Sequence, residues 1–194
     1  MNQNGIEIWI NTIKSFSNSQ TSRIIIKNII EETPAILRSI PQSQYLEWVK
    51  QCYRISEVSE DLSITYVNAT TGVIENLKPR HLLDWGNIGL SLYRSSKNST
   101  SLVNNFFKYS PSLCLKLNYE ELEILNDTLS RISTRSISFS IKILDWVLKI
   151  SSIAPSDLTS WNRVINLVSK KLIKDFEEIF TILAENADLI NENK

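Results

Sequence analysis

Few residues in this 194-residue chain could carry out chemistry. There is one histidine, His81, and a general base needs a nucleophile nearby that the sequence does not identify. The two cysteines, Cys52 and Cys114, are far apart and lie in apolar patterns, so we expect small buried hydrophobic side chains rather than zinc ligands or a disulfide scaffold. We therefore predict no catalytic residue, no metal site and no cofactor.

Two short motifs suggest ligand sites at first sight. Gly86 and Gly89 lie inside a helical apolar pattern, where glycine permits a close helix contact more readily than it binds a phosphate. The string Asp61-Leu62-Ser63-Ile64-Thr65 reads D-x-S-x-T, the first element of the metal site of von Willebrand factor A domains. That site requires a buried strand before the aspartate, whereas polar residues precede it here. We expect the string to begin a helix, with Asp and Ser in capping positions.

Five sets of apolar residues indicate the elements that position these side chains. Each set steps by three, four and three residues, which places its members on one helical face. The sets are Ile6, Trp9, Ile13, Phe16; Tyr45, Trp48, Cys52, Ile55; Leu82, Trp85, Gly89, Leu92; Leu122, Leu125, Leu129, Ile132; and Leu158, Trp161, Ile165, Val168. Their second members are 39, 37, 40 and 36 residues apart, a spacing typical of stacked helical pairs. Because Leu125 replaces tryptophan in one set, we interpret this position as core packing rather than ligand recognition.

A second pattern follows each set about twenty residues later. It is an apolar pair: Ile29-Ile30, Tyr66-Val67, Phe106-Phe107, Trp146-Val147 and Ile182-Leu183. Polar or helix-breaking residues come next, and Thr33-Pro34 and Ser110-Pro111 fit the N-cap and first position of a new short helix. Each unit therefore reads as helix A, helix B and a short apolar return segment. We place the five repeats at about 5–40, 41–78, 79–117, 118–154 and 155–191.

The predicted fold is all-α. It is a single domain over residues 1–194, a right-handed α–α solenoid of about five helical pairs of roughly 36–40 residues, like HEAT or TPR repeats. Only 4 Gly and 5 Pro, without sustained period-two alternation, argue against a β protein. The N-terminus has no basic start and no long apolar run, so we expect no signal peptide, no membrane span and a cytoplasmic location.

The formal net charge is zero, which gives no overall signal for a polyanionic partner. The middle of the chain is nevertheless basic, because residues 78–116 carry six lysines and arginines against one acid, a balance of +5. Such clusters are usually ordinary solvated surface, and the alternative is a basic middle repeat that binds an acidic partner or nucleic acid. The candidate contacts are Arg80, Arg94, Lys97 and Lys108.

The N-terminal repeat is unusually rich in isoleucine. Its helix B carries Ile24, Ile25, Ile26, Ile29 and Ile30, which spread over roughly two thirds of the helix circumference. A neighbouring repeat can cover only part of that surface, so we predict an exposed apolar patch that binds a protein partner or a second copy of the chain. The candidate contacts are Ile25, Ile26 and Ile29. The acidic C-terminal repeat looks more like a polar cap.

Units of this form resemble a known family. The segment 82–113, LLDWGNIGLSLYRSSKNSTSLVNNFFKYSPSL, is similar to the helical repeats found ahead of von Willebrand A/CoxE-like domains in some bacterial proteins, and weaker copies cover most of the chain. The von Willebrand domain is missing from this sequence, so its metal-dependent ligand binding is not implied. The resemblance implies a repeat module that contacts a protein partner in an ATPase-linked maturation complex.

Three classes of function follow from these patterns. A non-catalytic scaffold for protein–protein interaction is the expected one, since stacked repeats build extended binding surfaces. The alternatives are a nucleic-acid-binding helical repeat protein that uses the basic third repeat, and an enzyme whose site no motif reveals. One continuous stripe of the basic side chains would favour nucleic acid, and scattered positions would favour a scaffold.

Overall fold

The computed structural model describes residues 3–16, 20–153, 158–171 and 175–182, and in these ranges the chain forms helices and turns without a strand. The helices with defined bounds are α1 (Gln3–Ser15), α2 (Gln20–Ser39), α3 (Gln42–Val58), α4 (Glu60–Ile74), α5 (Leu82–Ser95), α6 (Thr100–Cys114), α7 (Tyr119–Ser133), α8 (Ile137–Ile153) and α9 (Leu158–Lys171). A short 3₁₀ turn, Pro79–His81, precedes α5, and residues 176–182 are also helical. The all-α prediction is confirmed in these ranges. None of the described helices has the length and apolar character needed to cross a bilayer.

The helices contact one another in two series. In the odd series, α1, α3, α5, α7 and α9 pack in that order, and in the even series α2, α4, α6 and α8 do the same. The two series are joined within units, where α3 packs on α4, α5 on α6 and α7 on α8. Among the described helices, extensive contacts connect only those that are at most two apart in chain order. Consecutive helical pairs therefore contact each other through both series.

Short polar side chains fix where several helices begin. Ser59, Ser99 and Asn118 are the N-caps of α4, α6 and α7, and each side chain accepts a hydrogen bond from the backbone N–H three residues later. These bonds satisfy donors that the first turn of a helix leaves unpaired. The D-x-S-x-T string does open a helix as predicted, but its cap is Ser59, one turn before Ser63.

The prediction that a new short helix begins at each proline is wrong. Pro34 lies inside α2 and Pro111 lies inside α6, so each helix B continues through its proline. The apolar residues assigned to a return segment, Ile36, Val73 and Leu113, are buried in the last turns of these helices and of α4. A proline removes one backbone hydrogen bond, and burial of the following turn outweighs that loss.

Two core tryptophans donate hydrogen bonds to hydroxyl groups at one repeat position. Ser110 occupies it just before Pro111, and Thr70 occupies it in α4. Trp85 Nε1 donates to Ser110 Oγ at 2.9 Å, and Trp48 Nε1 donates to Thr70 Oγ1 at 3.1 Å. Each hydroxyl in turn donates to the backbone carbonyl four residues earlier, at 2.7 and 2.8 Å. Pro111 has no backbone N–H to donate to the helix. The hydroxyl of Ser110, the residue before it, donates an additional hydrogen bond to the helix backbone at this point. Each tryptophan also ties helix A to helix B of its own unit.

The fourth unit lacks both members of this pair. Leu125 stands in place of the tryptophan and Ile150 in place of the hydroxyl, and both side chains are buried. A tryptophan without the hydroxyl would bury an indole N–H that lacks this acceptor, which costs roughly 1–3 kcal/mol. The prediction that this position packs the core is confirmed for Trp48, Trp85 and Leu125.

Gly89 allows a close approach between α5 and α6. A Cβ atom on Gly89 would lie 2.1 Å from Cζ of Phe107, far inside contact distance. The Phe107 ring is held there by edge contacts with Tyr66 and Trp85, each with 5.2 Å between ring centroids. The predicted close helix contact at Gly89 is therefore confirmed.

Candidate functional site

His81 lies in a polar cluster that joins two consecutive units. Its ring stacks on Tyr119 with 4.4 Å between centroids, while its Nδ1 is 3.5 Å from an Asp84 carboxylate oxygen. Arg80 Nε donates to His81 Nε2 at 3.1 Å, and the Tyr119 hydroxyl donates to Glu123 at 2.7 Å. The contact between His81 and Asp84 could be predicted from sequence, because the two residues are three apart in one helical segment. The contact with Tyr119 joins two units, and no local pattern indicates it.

The cluster borders a cleft of about 160 Å³. The lining residues are Asn76, Leu77, Lys78, Arg80, His81, Asn118, Tyr119 and Glu120. Burial raises the pKa of Tyr119, and its hydrogen bond to Glu123 raises that pKa further, so the phenol is a donor at neutral pH. The lining holds no serine, threonine or cysteine. The cleft therefore places none of these hydroxyl or thiol nucleophiles beside His81, and its polar groups can hydrogen-bond a small ligand.

The side chains of the D-x-S-x-T string point to different surroundings. Asp61 is exposed in the first turn of α4, whereas Ser63 is buried and donates to the carbonyl of Cys52 at 2.8 Å. Thr65 donates to Asn104 of α6 at 2.5 Å. Within the described part of the chain, no group of three or more histidine, cysteine, aspartate and glutamate side chains could hold a metal ion.

Both cysteines are free and buried, which confirms their predicted role as small hydrophobic side chains. Burial raises the pKa of both thiols, and that of Cys114 rises to about 12. The reactive form of cysteine is the thiolate. Neither Cys52 nor Cys114 is thus a nucleophile at neutral pH.

The four basic candidate residues are exposed but are not brought together. Arg80 precedes α5 and Arg94 lies in its last turn, and a 14-residue helix separates its ends by about 20 Å. Lys97 follows α5 at the Arg94 end, with a left-handed φ of 53°. Lys108 is on α6, in the even series. The side chains are distributed over the two ends of α5 and a second helix, α6.

Two of the three N-terminal candidates need correction. Ile25 and Ile29 are fully buried in the core, so neither can be a docking contact. Ile26 is partly buried, and the exposed isoleucines of α2 are Ile24 and Ile30. The run of isoleucines covers most of the helix circumference, and composition alone does not say which part of it faces the core.

The exposed large apolar side chains concentrate in the first and last helical pairs. In the described residues these side chains are Ile6, Ile10, Ile24, Ile30, Leu115, Val164, Leu167 and Ile182. Only Leu115, in the turn after α6, belongs to an internal unit. The exposure of Val164 and Leu167 does not fit the polar cap expected of the C-terminal unit.

The last described units meet through buried polar groups. The Glu121 carboxylate of α7 is buried and accepts hydrogen bonds from Arg163 Nε at 2.8 Å and Nη2 at 2.5 Å. Asn162 donates to the Glu121 backbone carbonyl at 2.8 Å. Six residues further along α7, Asp127 pairs with Lys170 of α9 at 3.0 Å. A row of specific polar contacts thus sets the register of α9 on α7.

Hydrogen bonding also changes the titration of Asp127. Burial acts to raise its pKa, but hydrogen bonds from Asn166, Lys170 and Arg131 outweigh burial and lower the pKa to about 2. The Asp127 carboxylate is therefore charged throughout the neutral range, where it attracts both Lys170 of α9 and Arg131 of its own helix.

Comparisons with other proteins add no assignment. No protein-family model matches this sequence. Neither a curated protein nor a solved structure is significantly similar to it.

Proposed function

We propose that this chain is a non-catalytic α-helical repeat scaffold for protein–protein interaction, built as a right-handed α–α solenoid of the HEAT or TPR type. The observation that carries the proposal is that hydrogen bonds between units recur one repeat apart. In the odd series they join Gln51 to Asn87, Ser95 to Ser130 and Arg131 to Ser169, and in the even series Asn28 to Asn68 and Thr65 to Asn104. Units that contact only their neighbours build the extended surfaces on which repeat proteins bind partners.

The site geometry favours a scaffold over the two alternatives. The His81 cleft is lined by no serine, threonine or cysteine, so it lacks the hydroxyl or thiol nucleophile that a histidine base most often activates. Arg80 and Arg94 lie about 20 Å apart at the two ends of α5 and Lys108 lies on α6, whereas binding to a nucleic-acid backbone relies on several phosphate contacts. The similarity to repeats that precede von Willebrand A/CoxE-like domains makes an ATPase or a von Willebrand A-type protein the first partner to test.

The N-terminal unit supplies the docking surface in this proposal. Ile6 and Ile10 are one turn apart on α1, and Ile30 is exposed on α2. Exposed apolar groups that lie close together on a folded chain commonly mark interaction sites. These three residues replace Ile25 and Ile29 as the contacts to be tested.

A pull-down from native cell extract tests the proposal, with the tagged wild type compared with Ile30→Asp and His81→Ala. We expect the wild type and His81→Ala to retain the same protein, and Ile30→Asp to lose it while keeping its helical circular dichroism. Arg94→Glu is the matched control, since it changes an exposed residue of an internal unit. Nucleic acid that is released by salt and lost with Arg94→Glu would contradict the scaffold, as would an enzymatic turnover lost only in His81→Ala.

A further inference from the structure

Positions that are buried in the internal units are exposed in the first unit. Ile30 is 51% exposed, whereas the residues at the same repeat position, Val67, Phe107 and Val147, are completely buried. Ile6 is 45% exposed, and its counterparts are Tyr45, Leu82, Leu122 and Leu158, all buried. A preceding unit covers these positions in the interior of the chain. The first unit has no such neighbour among the described residues.

The last unit shows the same difference. Ile182 is 54% exposed, while its counterparts Ile29, Tyr66, Phe106 and Trp146 are buried. Val164 is 41% exposed, while its counterparts Gln51, Ile88 and Thr128 are buried. The burial pattern of a complete unit is therefore missing at both ends of the described chain.

Two of these exposed side chains, Ile30 and Val164, face away from their own neighbouring units. On α2, Asn28 donates to Asn68 of α4, and Ile30 is two residues further, about 160° around the helix. On α9, Asn162 and Asn166 both bond to α7, and Val164 lies midway between them in sequence, on the opposite side of the helix. Ile30 thus points where a preceding unit would pack, and Val164 points where a following unit would pack.

We propose that these two surfaces bind each other between copies of the chain, so that the last unit of one copy stacks on the first unit of the next. We call Ile6, Ile10 and Ile30 the leading face, and Val164 and Ile182 the trailing face. The inference rests on the repeat architecture of the proposed function and names a second copy as partner. The contact repeats the interface that already joins consecutive units inside the chain.

The internal register specifies which residues meet, and it brings opposite charges together. Inside the chain, Ser22 donates to Glu60 in the next unit. When the apolar pairs of the repeats are aligned, Asp175 of the last unit takes the place of Ser22, and Arg23 of the first unit takes the place of Glu60. Both are exposed. End-to-end stacking therefore forms an Asp175–Arg23 ion pair between copies.

The same register gives one apolar contact and one repulsive contact in the odd series. Inside the chain, Gly86 lies against Gln51 of the unit before it, since a Cβ atom on Gly86 would be 3.1 Å from Cγ of Gln51. Across the new interface, Ile10 takes the place of Gly86 and Val164 takes the place of Gln51. Ser95 and Ser130, which share a hydrogen bond of 2.9 Å, correspond to Lys171 and Lys14. Replacing Lys14 by an acid should consequently strengthen the association.

Sedimentation velocity over a range of concentrations tests the proposal. We expect the wild type to form oligomers that lengthen with concentration. Arg23→Glu and Asp175→Arg should each weaken association by about tenfold or more, because like charges then face each other. The double variant Arg23→Glu/Asp175→Arg should restore it, and Lys14→Glu should strengthen it. Arg94→Glu, in an internal unit, is the control for net charge and should have no effect.

A mixing experiment separates this arrangement from a symmetric dimer. Ile30→Asp removes the leading face and Val164→Asp removes the trailing face, so each variant alone should remain monomeric. Their mixture should form a dimer, because one intact face of each kind remains. Circular dichroism and the melting temperature check that both variants fold. If either does not, Arg23→Glu and Asp175→Arg, which change exposed residues, test the same interface.

Three outcomes would overturn the inference: a wild type that stays monomeric up to about 1 mM, a charge swap that fails to restore association, or an equimolar mixture that stays monomeric. A monomeric wild type that still captures a different protein through Ile30 would overturn the inference alone and leave the proposed scaffold intact. Self-association without any other bound protein would support the inference and count against a scaffold for other partners.

Discussion

At the scale of single residues, a tryptophan and a hydroxyl act together in the core. Trp85 stacks on Tyr66 with 4.7 Å between centroids and donates to Ser110. Trp85→Ala should lower the free energy of unfolding by about 3–5 kcal/mol, since it empties a large aromatic site. Trp85→Phe should cost less, roughly 1–2 kcal/mol, because it removes mainly the hydrogen bond. Urea unfolding measures both changes.

Tyr93→Ala is the control for this prediction, because Tyr93 is on the same helix but only partly buried. It should cost less than Trp85→Ala. An unchanged midpoint for Trp85→Ala would show that the tryptophan position is not part of the core.

Gly89 provides a second test of packing. The Cβ of Gly89→Ala would meet the Phe107 ring, which is buried and held by two other aromatic rings. We expect a loss of about 1–3 kcal/mol, the usual cost of overpacking. In a double-mutant cycle, Gly89→Ala should cost less in a Phe107→Leu background, since the smaller side chain leaves room. Equal costs in both backgrounds would contradict the assigned contact.

Lys97 tests backbone strain rather than packing. Its φ of 53° lies in the left-handed region, which costs a residue with a Cβ about 1 kcal/mol or more. Lys97→Gly should therefore stabilise the chain, by up to about 1 kcal/mol after the greater freedom of glycine in the unfolded state is subtracted. Arg94→Gly, inside α5, should instead destabilise it by a similar amount. Thermal unfolding distinguishes a rise in melting temperature from a fall.

At the scale of helices, the docking of α9 on α7 depends on a buried carboxylate. Removing Arg163 leaves the Glu121 carboxylate buried, with the Asn162 amide at 3.2 Å as its donor among the described residues. Arg163→Ala should cost roughly 1–3 kcal/mol, and adding Glu121→Gln should recover part of it by removing the uncompensated charge. Lys171→Ala, an exposed change on the same helix, should have little effect. Hydrogen exchange of α9 amides reports the loss locally, and equal protection in Arg163→Ala and wild type would contradict this account.

The same interface should respond to acid in one direction. The pKa of Asp127 is lowered to about 2 in the folded chain, against about 3.9 for an unfolded aspartate. Its stabilising effect is therefore complete above about pH 4 and is lost as the pH falls toward 2. Because the side chain is half exposed, we expect less than about 1 kcal/mol.

Comparing wild type with Asp127→Asn by urea unfolding isolates this residue from the other carboxyl groups. The wild type should be more stable at pH 7, and the difference should vanish near pH 2. A difference that stays constant or grows as the pH falls would contradict the lowered pKa.

Local patterns predict the helices well and their continuity less well. The three-four-three spacing identifies helix A of each unit, and Ser59 and Ser99 are the residue types expected at helix starts. Pro34 suggests a helix boundary that is not there. The helix continues because Ile36, two residues later, is buried, and local sequence preferences do not include that burial. The stacking of His81 on Tyr119 also depends on how one unit is placed on the next. Sequence periodicity gives the length of a unit but not the rotation between units.

At the scale of the whole molecule, the burial of one residue depends on which unit precedes or follows it. Ile29 and Ile30 are adjacent, yet the first is buried and the second exposed. Hydrophobicity cannot distinguish them, because both are isoleucines. Their counterparts in the second unit, Tyr66 and Val67, are both buried. The isoleucine run predicts that the N-terminal unit exposes apolar surface, but which of its isoleucines are exposed depends on the contacts between units.

The central claim is that successive units stack in a line. Spin labels at corresponding exposed positions, Ser15→Cys paired with Ser91→Cys or with Leu167→Cys, measure it directly by double electron–electron resonance in monomeric samples. With 8–10 Å between adjacent helices of the odd series, we predict about 20 Å for the first pair and about 35–40 Å for the second. A distance from residue 15 to residue 167 that is no longer than the distance from residue 15 to residue 91 would contradict linear stacking.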